Sequence, residues 1–158
     1  MRIGQGFDVH RFSEDPHRTL VLGGVVIEGA RGLGGHSDAD AVCHALADAV
    51  LGALGLGDLG RHFPDTDPVW EGTDSTALLA RVVEMAAARG SVAQNADCTI
   101  VADTPRLAPY TEAMTERLSE LLGAPVSVKA TRAEGLAALG RSEGIACLAI
   151  VLMGPAPA

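Results

Sequence analysis

From Met1 to His10 the side chains alternate with the two-residue period of a strand, and that alternation already fixes a site. Asp8 and His10 project to one face while Phe7 and Val9 project to the other, so an oxygen and a nitrogen donor stand side by side. A helix follows in the pattern from Asp38 to Leu54, where Val42, Leu46, Val50 and Leu54 recur at helical spacing and Asp38 or Ser37 is expected as the cap. It aims its first turn, with His44, at the strand end. Asp8, His10 and His44 are three donors that leave a coordination position open, as a catalytic zinc site requires. Each part also has a plainer reading. An Asp-x-His pair is often a surface hydrogen bond, and His44 lies four residues from both Asp40 and Asp48, either of which could be its partner.

The rest of the chain alternates strands and helices. Leu20–Ile27 reads as a strand pair turned at Gly23-Gly24, and Ser75–Arg89 as a helix begun by Thr73-Asp74-Ser75 and stopped by Gly90. Asp97–Ala102 is a short β-rich run. Pro105 or Pro109 opens a helix that ends at Gly123, and Pro125–Ala130 and Gly144–Met153 complete the strands. The expected fold is α/β, an α+β sandwich in which a mixed sheet carries helices on one face. With neither a linker nor a repeat, residues 1–158 read as one domain. Aromatic residues are only 3% of the chain against 19 glycines, which calls for close backbone packing or burial between subunits. An uncovered sheet face would then need another subunit.

A net charge of −8 offers no field for nucleic acid. Neither a membrane-length apolar run nor a charged-then-apolar leader is present, so the cytoplasm is the expected location. Cys43, Cys98 and Cys147, set among apolar neighbours, read as buried free thiols.

Four further segments carry chemistry. In the loop Gly55–Pro68, Asp58 could accept from sugar hydroxyls and Asp65 or Asp67 could bind a polyol, or the acids could be turn and cap residues. Ala102–Pro109 lies between strand and helix, where free backbone groups can read a base edge. At Lys129–Gly135, Thr131 and Arg132 suit phosphate oxygens and Glu134 suits Mg²⁺ held jointly with them, although a salt-bridged loop would look alike. Gly140–Ala146 holds Arg141 and Glu143, either an ion pair or an anion site.

Taken in order, these blocks resemble the 2-C-methyl-D-erythritol 2,4-cyclodiphosphate synthase family over essentially the whole chain. The resemblance rests on Arg2–His10, His36–Asp40 with His44, Gly57–Gly60, Phe63–Pro68, Val128–Thr131 and Gly140–Cys147. It implies conversion of a cytidine diphosphate derivative, 4-diphosphocytidyl-2-C-methyl-D-erythritol 2-phosphate, to the cyclic diphosphate with loss of CMP, in a homotrimer with active sites between subunits. By the same resemblance Asp8, His10 and His44 bind Zn²⁺ or Mn²⁺, Asp8 and His10 also facing substrate, and Glu134 helps hold Mg²⁺ on the diphosphate. His36 and Ser37 contact phosphates, with His36 and Arg132 the catalytic residues. Asp58, Gly60, Phe63, Asp65 and Asp67 hold the methylerythritol, whereas Ala102, Pro105, Arg106, Leu107 and Ala108 with Ala130, Thr131 and Arg132 receive the cytidine and its phosphates. Arg141 lies toward the trimer axis.

Two departures are evident. Ala130-Thr131-Arg132-Ala133-Glu134 stands where the family has Ala-Thr-Thr-x-Glu, so a guanidinium replaces a hydroxyl and either supplies stronger charge or blocks the pocket. Leu136-Ala137-Ala138 replaces Leu-Gly-Phe and removes an aromatic wall. Competing classes are a trimer that binds an isoprenoid diphosphate in its axis without turnover, and a metal-dependent phosphohydrolase.

Overall fold

The computed structural model describes residues 1–156. Four strands form one mixed sheet in the order β1-β6-β4-β5: β1 (Arg2–Arg11), β4 (Ser91–Val101), β5 (Val126–Thr131) and β6 (Gly144–Pro155). β6 is antiparallel to both β1 and β4, and β5 is parallel to β4. A separate hairpin joins β2 (Thr19–Leu22) and β3 (Val25–Arg31) through Gly23-Gly24. Both turn glycines have positive φ (58° and 72°), as the tightest hairpins require. The helices are α1 (Ala41–Leu54), α2 (Leu59–His62), α3 (Ser75–Ala87), α4 (Thr111–Leu122) and α5 (Ala137–Gly140). No helix among the described residues is long and apolar enough to cross a membrane.

Small residues set the spacing between the first strand and the first helix. Gly4 and Gly6 share the helix-facing side of β1 with Asp8 and His10, and a Cβ on Gly6 would lie 1.8 Å from the Ala45 carbonyl oxygen, one on Gly4 1.8 Å from that of Ala49. Backbone therefore meets backbone, and α1 is buried along most of its length. This is the close packing that the glycine content and scarce aromatics imply. Cys98, Ile100, Cys147, Ala149 and Val151 carry the core along β4 and β6, and all three cysteines are buried free thiols.

On the opposite face, among the described residues, the sheet exposes apolar side chains. Ile3 (74%), Phe7 (55%), Val9 (51%), Leu148 (37%) and Ile150 (52%) are solvent-exposed, Phe7 directly opposite Leu148 in the register.

Several boundaries differ from expectation. Asp40, not Asp38 or Ser37, caps α1, because its fully buried carboxylate accepts the amides of Val42 and Cys43 together with those of Gly23 and Gly24, tying the hairpin to the helix. β4 starts at Ser91 rather than Asp97, since its first half pairs with the far end of β6 across an irregularity between Ala93 and Asn95. α4 starts at Thr111, beyond both prolines, with no side-chain cap. Asp74 caps α3, and Gly123 closes α4 with a positive φ of 68°, as their positions predict.

Candidate metal and phosphate site

At the end of β1 the three expected donors converge. Asp8 Oδ2 lies 2.9 Å from His10 Nε2 and 3.0 Å from His44 Nδ1, and the two nitrogens are 3.3 Å apart. Donors bound at zinc distances sit about 3.3 Å from one another around a tetrahedron, so the cluster is close to the size such an ion needs. Each ring also has its other nitrogen engaged. His10 Nδ1 donates to the Gly34 carbonyl at 2.8 Å, which leaves Nε2 with a lone pair for a metal. His44 Nε2 faces Ser75 Oγ at 2.8 Å and Ser37 Oγ at 3.2 Å. Neither Asp40 nor Asp48 binds the His44 ring. Asp40 is committed to its four amides, and Asp48 Oδ1 accepts the Leu59 amide at 2.6 Å. Among the described residues this is the one cluster of three or more His, Cys, Asp or Glu side chains positioned to hold a metal ion.

Burial pushes the Asp8 carboxyl up, but the hydrogen bonds and charge of the two imidazoles more than offset it and hold the group well below the usual carboxylate range. His10 moves the other way: burial lowers it, while the Asp8 carboxylate and the Gly34 carbonyl together raise it above the ordinary imidazole value. Asp48 is raised by burial, opposed by the Leu59 amide and reinforced by the charges of Asp58 and Asp8.

A cavity of about 600 Å³ opens over the triad. His36 and Ser37 line one side, on a loop that the Arg18 guanidinium grips at the Ser37 carbonyl. Asp58, Gly60, Phe63 and Asp65 line the other. Asp58 caps α2 through the Arg61 amide, and Phe63 meets Trp70 edge-on at 5.0 Å. Asp67 caps the 3₁₀ turn Pro68–Trp70 and is outside the lining, in keeping with the turn reading of that acid.

The remaining predicted residues are elsewhere. Ala102, Pro105, Arg106, Leu107 and Ala108 with Ala130, Thr131 and Arg132 line a second cavity of about 420 Å³, distinct from the first within one chain. Arg132 Nε donates to Asp103 Oδ1 at 3.2 Å, and the Ala133 amide donates to Asp103 Oδ2. Glu134 is exposed at a positive-φ turn position and lines neither cavity. Arg141 pairs with Glu143 at 2.6 Å on the surface.

Sequence reasoning passed over Ser75, Asp38 as its partner, Asp48 as a cavity residue, and Trp70. Asp48 had a signal, one helical turn beyond His44 on the same face. Ser75 had none, because a serine at a helix start ordinarily signals a cap.

The profile of the YgbB family matches residues 1–154. A 2-C-methyl-D-erythritol 2,4-cyclodiphosphate synthase of Pelobacter propionicus is 52% identical over 156 residues, covering 97% of this chain and 98% of the relative. One of Geobacillus thermodenitrificans is 54% identical, with 96% of each chain covered. Among solved structures, the bifunctional IspDF of Campylobacter jejuni superposes with a TM-score of 0.92 at 39% identity, over 98% of this chain and 42% of that one. A 2C-methyl-D-erythritol-2,4-cyclodiphosphate synthase in its CDP-bound form gives 0.87 at 38% identity, over 97% and 100%.

Proposed function

The chain belongs to the YgbB family, and we infer that it converts 4-diphosphocytidyl-2-C-methyl-D-erythritol 2-phosphate to 2-C-methyl-D-erythritol 2,4-cyclodiphosphate with release of CMP. An oxygen of the 2-phosphate forms a bond to the β-phosphorus as the bond from that phosphorus to the oxygen of CMP breaks. Water is not consumed, and no protein nucleophile is required. The observation that carries this reading is the Asp8, His10, His44 cluster at the floor of a cavity that also holds His36, Ser37 and the Asp58–Gly60 segment.

The donor set suits Zn²⁺ or Mn²⁺ at Asp8, His10 and His44, and Glu134 suits Mg²⁺ shared with the diphosphate; such cations, when bound, polarise the phosphates and neutralise the charge on the leaving CMP. The protein's own groups supply position. His36 and Ser37 hold phosphate oxygens from the loop above the triad. Asp58 and Asp65 accept from the methylerythritol hydroxyls, while Phe63 and Trp70 wall off water from the same cavity. Arg132, with Thr131, meets the cytidine phosphates at the second cavity, where its guanidinium offsets charge during transfer.

A homotrimer accounts for two features of the isolated chain. Its apolar sheet face lacks cover, and the triad cavity and the Ala102–Arg132 cavity are separate in one subunit. Packing of subunits through the bare faces would bury the first and give the second a neighbour's triad to face. Single-domain organisation over residues 1–158 belongs to the same reading.

His44→Ala tests it. The variant is expected to lose bound zinc and turnover together while keeping its fold. Full turnover in that variant would overturn the assignment.

A further inference from the structure

His44 ligates a metal only if its Nδ1 carries a lone pair, and a neutral imidazole does so only when the proton sits on Nε2. The hydrogen bonds around Ser75 favour that form. A hydroxyl has one proton, and that of Ser75 is directed to Asp38 Oδ1. The Ser75 amide donates to Asp38 Oδ2 at 3.1 Å, so one carboxylate grips both polar groups of a single residue. With its proton committed, Ser75 Oγ meets His44 Nε2, 2.8 Å away, with a lone pair alone. Ser75 Oγ therefore favours the proton on Nε2, whereas Asp8 Oδ2, 3.0 Å from Nδ1, favours it on Nδ1 until a cation takes that place; Ser75 tips the ring toward the ligating form.

The partners of this relay are fixed. Ser75 is 1% exposed, and its hydroxyl has no part in capping α3, a task that Asp74 performs. Asp38 is held by its own amide on the Thr73 carbonyl and by the Asp40 amide on Oδ1. Ser37 Oγ lies 3.2 Å from Nε2 and 3.4 Å from Ser75 Oγ, a longer contact on a hydroxyl that also takes the Ala39 amide and sits on the cavity wall. Ser75 keeps the imidazole oriented when Ser37 turns to a bound anion.

We propose that Asp38 and Ser75 are positioning residues that bias His44 toward its Nε2–H form against the pull of Asp8 on Nδ1, and thereby raise the affinity of the Asp8, His10, His44 site for a divalent cation. The inference rests on reading those three residues as ligands. Tautomer and metal affinity report on it separately.

The experiment uses the full chain with Ser75→Ala, Ser75→Thr and Asp38→Asn. In metal-free protein at mildly alkaline pH, imidazole ¹⁵N shifts should show the Nε2–H form of His44 populated beside the Nδ1–H form that Asp8 favours in the wild type, and lost to Nδ1–H in Ser75→Ala. Zinc affinity, by chelator competition, should fall about 10- to 100-fold in Ser75→Ala. Threonine should restore both, because it returns the hydroxyl. Asp38→Asn should give an intermediate loss, since an amide can turn a donor toward Ser75 and release its proton toward Nε2. An unchanged Nε2–H signal and wild-type zinc affinity in Ser75→Ala would overturn the proposal even if turnover fell. Wild-type protein that holds the Nε2–H form but binds no zinc would instead overturn the ligand reading beneath it.

Discussion

Gly6→Ala should damage both the fold and the proposed metal site through one methyl group. A Cβ at position 6 lies 1.8 Å from the Ala45 carbonyl oxygen, 2.8 Å from the Ala45 carbon and 2.8 Å from the Ala49 nitrogen. All three are backbone atoms, which cannot rotate away. Ordinary contact begins near 3.4 Å, so α1 has to retreat from β1 by about 1.6 Å, whereas metal–ligand distances tolerate only about 0.2 Å. His44 adjoins Ala45 on that helix while Asp8 and His10 stay with the strand. Overpacking costs about 1–3 kcal/mol, and a rigid backbone clash belongs at the upper end, so Tm should fall by about 6–12 °C at roughly 2–4 °C per kcal/mol. Gly52→Ala is the internal control. On the same helix its Cβ finds only the Gln5 carbonyl, at 3.7 Å, so the helix should gain about 0.5–1 kcal/mol. Thermal melts and zinc competition on both variants read the outcome. Gly6→Ala with wild-type Tm and zinc affinity would refute the argument that glycine sets this spacing.

Other changes separate the roles of the acids and of Arg132. Asp40→Ala strands four amides around a buried site and should cost about 3 kcal/mol or more in urea unfolding. Asp48→Asn should raise Tm at neutral pH: burial raises the folded carboxyl above its unfolded value, so the folded state favours the neutral acid, and stability is lost as pH rises from the unfolded value through the folded one. The gain should vanish below the unfolded value, and equal Tm at all pH would contradict it. Arg132→Ala leaves Asp103 uncompensated in the second cavity and should weaken CDP binding about tenfold by calorimetry; unchanged affinity would remove Arg132 from the phosphate contacts.

Much of the fold was legible because local signals and tertiary demands agree. Alternation in Met1–His10, glycines at the β2–β3 turn, Asp74 before α3 and Gly123 after α4 each act within a few residues of themselves. Placement failed where a distant partner decided. Spacing points to Asp38 or Ser37 as the cap, and the hairpin amides of Gly23 and Gly24 select Asp40 instead. The freed Asp38 then pairs with Ser75, 37 residues away. Strand periodicity placed Asp8 beside His10, yet the third donor reaches them only because Gly4 and Gly6 admit α1. Both cavities drew on residues named from sequence, whereas their separation within one chain became visible only in three dimensions.

Phosphorus NMR of the purified protein with 4-diphosphocytidyl-2-C-methyl-D-erythritol 2-phosphate, Zn²⁺ and Mg²⁺ tests the central claim most directly. The account predicts CMP and a cyclic diphosphate appearing in equal amounts, with no inorganic phosphate. Inorganic phosphate alongside CMP would mean hydrolysis, and unchanged substrate with the metal bound would mean a binding protein; either result contradicts the cyclisation.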